Sequence, residues 1–261
     1  MSRTVLQEAI GPVAVVTLNR PERHNSLIPD FLREILAAIT AVSTSPTMRA
    51  LVLQANGRSF STGGDALGFV QHADDIETYA REIVGLLNQV ILALIDLPVP
   101  VVTAVHGIVT GGALGFILGS DIVLVAPEAS FTPYYSVVGP SPDGGWAGLL
   151  PLLIGPRRTA EVLYLNRTID AETAVTWGIA NRIVPADLIR AESLAIANDI
   201  AAKKPGSIRH TKRLLTRHRD ELAARLDAEL DHFVDQMVNG EGLAGFEEFL
   251  TELQVRKAIA D

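Results

Sequence analysis

The sequence predicts an α/β protein: a layered strand–helix core up to about residue 200, then a helical C-terminal part over 201–261. Three observations lead there. Short β-branched segments alternate with helical patterns through the first 145 residues or so, joined by short connections. Residues 97–120 carry no Asp, Glu, Lys or Arg, as expected of elements buried on both faces of such a core. Beyond about residue 146 the strand patterns stop and helical periodicity takes over.

Taken in order, VAVVTLN at 13–19 reads as a strand ended by Pro21 and its polar neighbours. From Ile28 to Val42, Phe31, Ile35, Ala38 and Val42 recur at helical spacing, and Asp30 suits the positive end of that helix. RALVLQA at 49–55 is a second strand, closed by the glycine-bearing turn NGRSFSTGGD. A long helix covers 76–95, then a strand 100–105, a helix 111–119 and a strand 121–126. Helical patterns follow at 146–154, 157–165, 171–177, 187–203, 206–217, 220–239 and 241–255. Leu222, Leu226, Leu230, Phe233 and Met237 form an apolar stripe that must be buried somewhere, and a second subunit is one candidate surface.

Composition narrows the function. The 261 residues include no cysteine, which excludes disulfide scaffolds, zinc–thiolate sites, iron–sulfur clusters and thiol nucleophiles. A formal charge of −8 argues against a nucleic-acid-coating surface. The charge-free 97–120 run could span a bilayer by length, but Pro98, Pro100, Gly111 and Gly112 interrupt it and no basic cluster flanks it. Strand, turn and helix is the better parse, and no membrane association is expected. The N-terminus lacks the apolar run of a secretory signal, so a cytoplasmic location is expected.

Two glycine turns follow strands, Ser61-Thr62-Gly63-Gly64-Asp65 and Gly111-Gly112-Ala113-Leu114-Gly115. Taken alone, such turns only close strand–helix junctions. They can also aim backbone N–H groups into a cleft, where two donors stabilise a developing oxyanion. The glycine spacing does not match the G-x-G-x-x-G of dinucleotide-binding folds.

At these residues the chain resembles the crotonase (enoyl-CoA hydratase/isomerase) family. The matching segments are VTLNRPERHNSL, RSFSTGGD, AVHGIVTGGALGF with SDIVLVAPEASF, WGIANRIVP and EGLAGF, in order over nearly the whole chain. The resemblance implies a crotonase-like ββα-spiral core with a helical C-terminal trimerisation region. It also implies a homotrimer or dimer of trimers, and an acyl-CoA thioester substrate that carries coenzyme A in, with no further cofactor. Gly64 and Gly112 would hold the thioester oxygen, so that an adjacent carbon can lose a proton.

Family hydratases carry two glutamates, at positions occupied here by Gly115 and Tyr135. Neither can transfer a proton as a carboxylate does, which counts against simple hydration. Asp143, in GPSPDGGW, is the one carboxylate left in this stretch, and its PDGG sequence looks like that of ring- and double-bond isomerases. Beside Trp146 it should be desolvated and its pKa raised. Asp143 is therefore the expected proton shuttle of an enoyl-CoA isomerase, with a turn-forming Asp as the bland alternative. Tyr135 is a donor to substrate or to Asp143, or a lining aromatic.

The match further implies that Arg23, His24, Ser61, Gly63, Asp65, Ala66, Leu67 and Phe246 contact the CoA portion. Phe249 replaces a basic residue of the family, and Arg256 or Lys257 could take over that contact. His106, on an apolar strand, reads as a satisfied core group. Lys203–Arg219 holds seven basic residues and no acid, either a solvated helix face or an attractor for CoA phosphates. Rival functions are a hydratase with unrecognised acid/base groups and a non-catalytic acyl-CoA binder.

Overall fold

The computed structural model describes residues 3–216 and 218–260, with side chains up to Val255. An antiparallel hairpin of β1 (Val5–Ile10) and β2 (Val13–Leu18) opens the chain, and α1 (Pro29–Thr44) follows. Then a unit recurs: a strand in one sheet, a short strand in a second sheet, and a helix. β3 (Ala50–Ala55) and β4 (Ser59–Ser61) lead to α2 (Ala66–Gln71) and α3 (Ile76–Asp96). β5 (Val101–Val105) and β6 (Ile108–Thr110) lead through a single 3-10 turn at Gly111–Ala113 to α4 (Leu114–Leu118). β7 (Ile122–Val125) and β8 (Ser130–Thr132) lead to α5 (Tyr135–Val138). The first sheet runs β1-β2-β3-β5-β7-β10 and the second β4-β6-β8-β9, with β10 (Arg182–Ile183) and β9 (Ile169–Asp170) closing their edges. This is a ββα spiral.

Burial explains the charge-free sequences. All residues of β2 and of β5 are buried, because helices cover both faces of the parallel sheet. Val16, Leu18, Leu51 and Leu53 face the main core with α1 and α3. Val13, Val15, Val52 and Val102 face the opposite layer, against Ala197 of α9 (Ile189–Ala201). The 97–120 run is thus the connection after α3, two strands, the 3-10 turn and α4. Among the described residues, the helix long and apolar enough to cross a membrane is instead α3, and it is a core helix here, burying ten residues from Tyr79 to Ile95.

The helical half contains α6 (Leu150–Ile154), α7 (Pro156–Tyr164), α8 (Ala171–Thr176), α10 (Pro205–Leu215), α11 (Arg219–Val238) and α12 (Glu241–Ala260). Four expectations change. The helix expected at 111–119 is a 3-10 turn followed by a five-residue α-helix, and the turn before it holds β6. The helix expected at 146–154 begins only at Leu150. Strands do not stop at 146, since β9 and β10 follow as two-residue strands too short to show periodicity. The α11 stripe is covered within the chain: Leu226, Phe233 and Met237 are fully buried, with Leu222 and Leu230 packed beside them. Asn88 of α3 fixes the contact by donating to the Leu226 carbonyl at 3.0 Å.

Candidate active site

The two glycine turns stand side by side because β4 and β6 are parallel neighbours. The Thr110 hydroxyl donates to the Thr62 carbonyl at 2.8 Å and ties one turn to the other. Both turns border one cavity of about 620 Å³, whose walls include Gly64, Gly112, Tyr135 and Asp143. Gly112 lies in the first turn of its helical segment, where backbone N–H groups have no intrahelical acceptor. A Cβ on Gly112 would lie 2.5 Å from the Leu87 side chain and 3.0 and 3.1 Å from the Asp143 carboxylate oxygens. A side chain there would have to displace Leu87 and the Asp143 carboxylate, and the acid is held against the backbone of Gly112.

Asp143 is 8% exposed. Burial raises its pKa to about 6, even though the Tyr135 hydroxyl, donating to Oδ1 at 2.5 Å, favours the carboxylate. The Tyr135 hydroxyl is pushed well above its ordinary value by burial and by Asp143 itself, so it remains a donor. Trp146 is buried too, and its indole N–H donates to the Gly111 carbonyl at 2.7 Å. Proline and glycine residues build this loop, and Gly144, at φ +64°, packs its Cα against the backbone of Gly112.

Asp143 is not a lone buried carboxylate. Glu229 of α11 is 5% exposed, and burial raises its pKa to about 7 against the pull of three backbone donors. The N–H groups of Gly145, Ala147 and Gly148 reach its two oxygens at 2.7, 2.7 and 2.9 Å. No expectation from sequence named it. The signal was present: Glu229 lies three residues after Leu226 and four before Phe233, an acid on the apolar stripe.

The other expected contacts divide. Arg23, His24, Asp65, Ala66, Leu67 and Phe246 line the cavity. Phe246 stacks on Phe69 with centroids 4.8 Å apart and planes 3° from parallel, so α12 supplies part of the wall from the same chain. Phe249 lines it as well, while the side chains of Arg256 and Lys257 lie outside the described residues. Asp65 borders the cavity, but its carboxylate serves the protein. It caps α2 through the Leu67 N–H, accepts from Ser26 at 2.9 Å and pairs with Arg23 at 3.1 Å. Burial alone would raise its pKa; the bonds from Ser26 and Arg23 and the nearby charges outweigh that and hold it below the ordinary value.

Ser61 and Gly63 stand behind the wall. The fully buried Ser61 hydroxyl donates to the Asn25 carbonyl at 2.7 Å, and the Gly63 carbonyl accepts from Leu27. None of the described residues of the 203–219 basic stretch lines the cavity. Lys212 in that stretch points inward, bonded to the carbonyls of Leu94 and Val99 and to Asp121 at 2.7 Å. His106 has the polar partner expected of it, its Nε2 lying 2.8 Å from the Gly57 carbonyl, but it stands just past the end of β5 and is only half-buried, so it is not a core group.

A ββα spiral with two glycine turns at one cavity, and a buried acid beside the second turn, is the architecture that the comparisons with known proteins place in one enzyme family. The model of the enoyl-CoA hydratase/isomerase family matches residues 8–255, and the chain belongs to this family. A probable enoyl-CoA hydratase of Mycobacterium bovis is 36% identical over 239 residues, covering 88% of this chain and 82% of that protein. A trans-2-decenoyl-[acyl-carrier-protein] isomerase of Streptococcus mutans is 33% identical over 183 residues, covering 69% of each. The crystal structure of an enoyl-CoA hydratase/isomerase from Mycobacterium paratuberculosis superposes with a TM-score of 0.87 at 28% identity, over 95% of this chain and 99% of that one.

Proposed function

We propose that the protein isomerises the double bond of an enoyl-CoA thioester with Asp143 as the single proton shuttle. The observation that carries this reading is the Asp143 carboxylate beside Gly112, desolvated and with its pKa raised to about 6. At neutral pH such a group is ionised, yet basic enough to accept a carbon-bound proton. The thioester oxygen accepts hydrogen bonds from the N–H groups of Gly64 and Gly112. Asp143 removes a proton from C2 of a 3-enoyl thioester, and the electron pair delocalises into a dienolate. The same carboxyl returns the proton to C4, giving the conjugated 2-enoyl product. Atoms and charge balance with no cofactor besides the coenzyme A of the substrate. Arg23 and His24 at the cavity border suit the nucleotide end, and the stacked Phe69 and Phe246 suit an apolar acyl chain.

Hydration is the second reading, favoured by the name of the Mycobacterium bovis relative. Gly115 and Tyr135 weigh against it, since no carboxylate stands at either position. The test offers purified protein 3-enoyl-CoA and 2-enoyl-CoA in parallel. Conjugated product from the first with slow hydration of the second supports isomerisation. Hydration alone sinks it, and binding without turnover of either indicates an acyl-CoA binder.

We also infer a homotrimer or dimer of trimers. Leu152, Leu153, Tyr164 and Leu165, on and after α6 and α7, leave an apolar surface exposed that a second copy would cover. Light scattering that returns a monomer mass would end that inference.

A further inference from the structure

We propose that Glu229 is the positioning residue for the proton shuttle, holding the loop that presses the Asp143 carboxylate against Gly112. The inference rests on the isomerase reading above but concerns a residue that takes no part in the proton transfer itself. The Pro142–Gly148 loop has few ways to fix its own shape. Two successive glycines, Gly144 and Gly145, sit at φ +64° and +88°, and with no Cβ each has more conformations to be held out of than any other residue. Trp146 ties its side chain to the Gly111 carbonyl and Tyr135 holds Asp143, but the backbone N–H groups of the loop are gathered from another helix. One buried carboxylate collects the N–H groups of Gly145, Ala147 and Gly148, all within 2.9 Å, in the seven residues that also carry Asp143.

The anchor itself is rigid. Glu229 sits on the buried face of α11 between Leu226 and Phe233, and α11 is tied to α3 through the Asn88–Leu226 bond. α3 in turn carries Leu87, which packs over Gly112. Gly148 lies against the Arg225 backbone and Cβ, one turn before Glu229. The acid and the oxyanion turn are thus referenced to the same pair of helices. Relaxing the loop would let the Asp143 carboxylate move relative to the reacting carbon, and misplacement of about 1 Å can cost about 100-fold in rate. Substrate binding needs none of this, because the expected CoA-contacting residues belong to other segments.

The experiment compares wild type with Glu229→Gln, Glu229→Asp and Asp143→Asn as full chains on 3-enoyl-CoA. It adds melting temperatures and the Kd of a saturated acyl-CoA. Glu229→Gln keeps size but turns an NH2 group toward backbone donors. Glu229→Asp keeps charge but is one carbon short of reaching all three. Both are expected to lower kcat about 10- to 100-fold while KM and the acyl-CoA Kd stay within about threefold. Wild-type kcat in both variants overturns the proposal, as does an equal loss of turnover and acyl-CoA binding. If Glu229→Gln does not fold, Glu229→Asp must show the same split. The Asp143→Asn control keeps the two readings apart. Wild-type turnover there removes the shuttle itself, whereas an inactive Asp143→Asn beside fully active Glu229 variants removes only the positioning role.

Discussion

The Tyr135 hydroxyl donates to the Asp143 Oδ1 at 2.5 Å in the wall of the cavity, and both groups are buried. The bond works against desolvation. Burial drives the Asp143 pKa up to about 6, while the tyrosine proton favours the ionised form. Because Asp143 acts as a base in the proposed reaction, kcat/KM should rise with pH through about 6 and level off above it. A flat profile between pH 5 and 7 would show that another group limits the reaction.

The same shift predicts a stability effect. The folded-state pKa of Asp143 exceeds its unfolded value, so the folded state binds more protons between about pH 4 and 6. Its favourable contribution is present at low pH and lost as pH rises through about 6. At pH 7, Asp143→Asn removes the burial cost of the charge. It should abolish isomerisation yet raise unfolding free energy by on the order of 2 kcal/mol, read by urea denaturation. A variant less stable than wild type at pH 7 contradicts the assigned desolvation.

Tyr135→Phe removes the donor but leaves the ring. The Asp143 pKa then rises further, so the activity limb should move to higher pH, with about 10-fold less turnover at pH 7. If the tyrosine only lines the cavity, KM changes and the limb stays where it is.

How much of this was legible in the sequence follows from chain geometry. The glycine turns, Asp143 and Tyr135 lie in contiguous motifs on short elements, so the family resemblance could single them out, whereas their local patterns alone read equally as turns and a lining aromatic. Ser61 and Gly63 were grouped with Gly64, yet a residue or two along such a turn reverses what a group faces, and their polar atoms bond inside the fold. Glu229 lies 86 residues beyond Asp143, so no local pattern joins them. Lys212 was hidden in a charge run, because composition counts charges without helical phase.

The position of Gly115 gives a fourth test. A Cβ there would lie 2.8 Å from Ile91 Cγ1 and 3.0 Å from the Gly144 carbonyl oxygen. The glutamate that family hydratases carry at this place has no room in this core. Gly115→Glu should therefore cost about 3 kcal/mol or more, as an overpacked and desolvated acid, and add no hydratase activity. Adding Ile91→Ala should recover part of the stability. A stable, hydrating Gly115→Glu enzyme would mean that the α4 packing yields more easily than the structure indicates.

The Lys212 ammonium fixes α10 to the core. It is 5% exposed and donates to the carbonyls of Leu94 and Val99 at 3.0 and 3.2 Å and to Asp121 at 2.7 Å. Burial lowers its pKa while Asp121 opposes that, and all three donor positions have partners. Asp121 also accepts from the Val101 N–H at 2.8 Å, so the pair joins the C-terminal end of α3, the first residue of β5 and α10. Lys212→Met keeps the stem but leaves two carbonyls and a carboxylate without their partner. A loss of about 3–5 kcal/mol is expected from urea denaturation, with KM for acyl-CoA unchanged because the residue is remote from the cavity. Lys212→Met combined with Asp121→Asn should lose less than the sum of the single changes, since the second removes the charge the first strands. Additive losses would show that Lys212 contributes by packing alone, and a raised KM would revive a role for this stretch in holding the CoA phosphates.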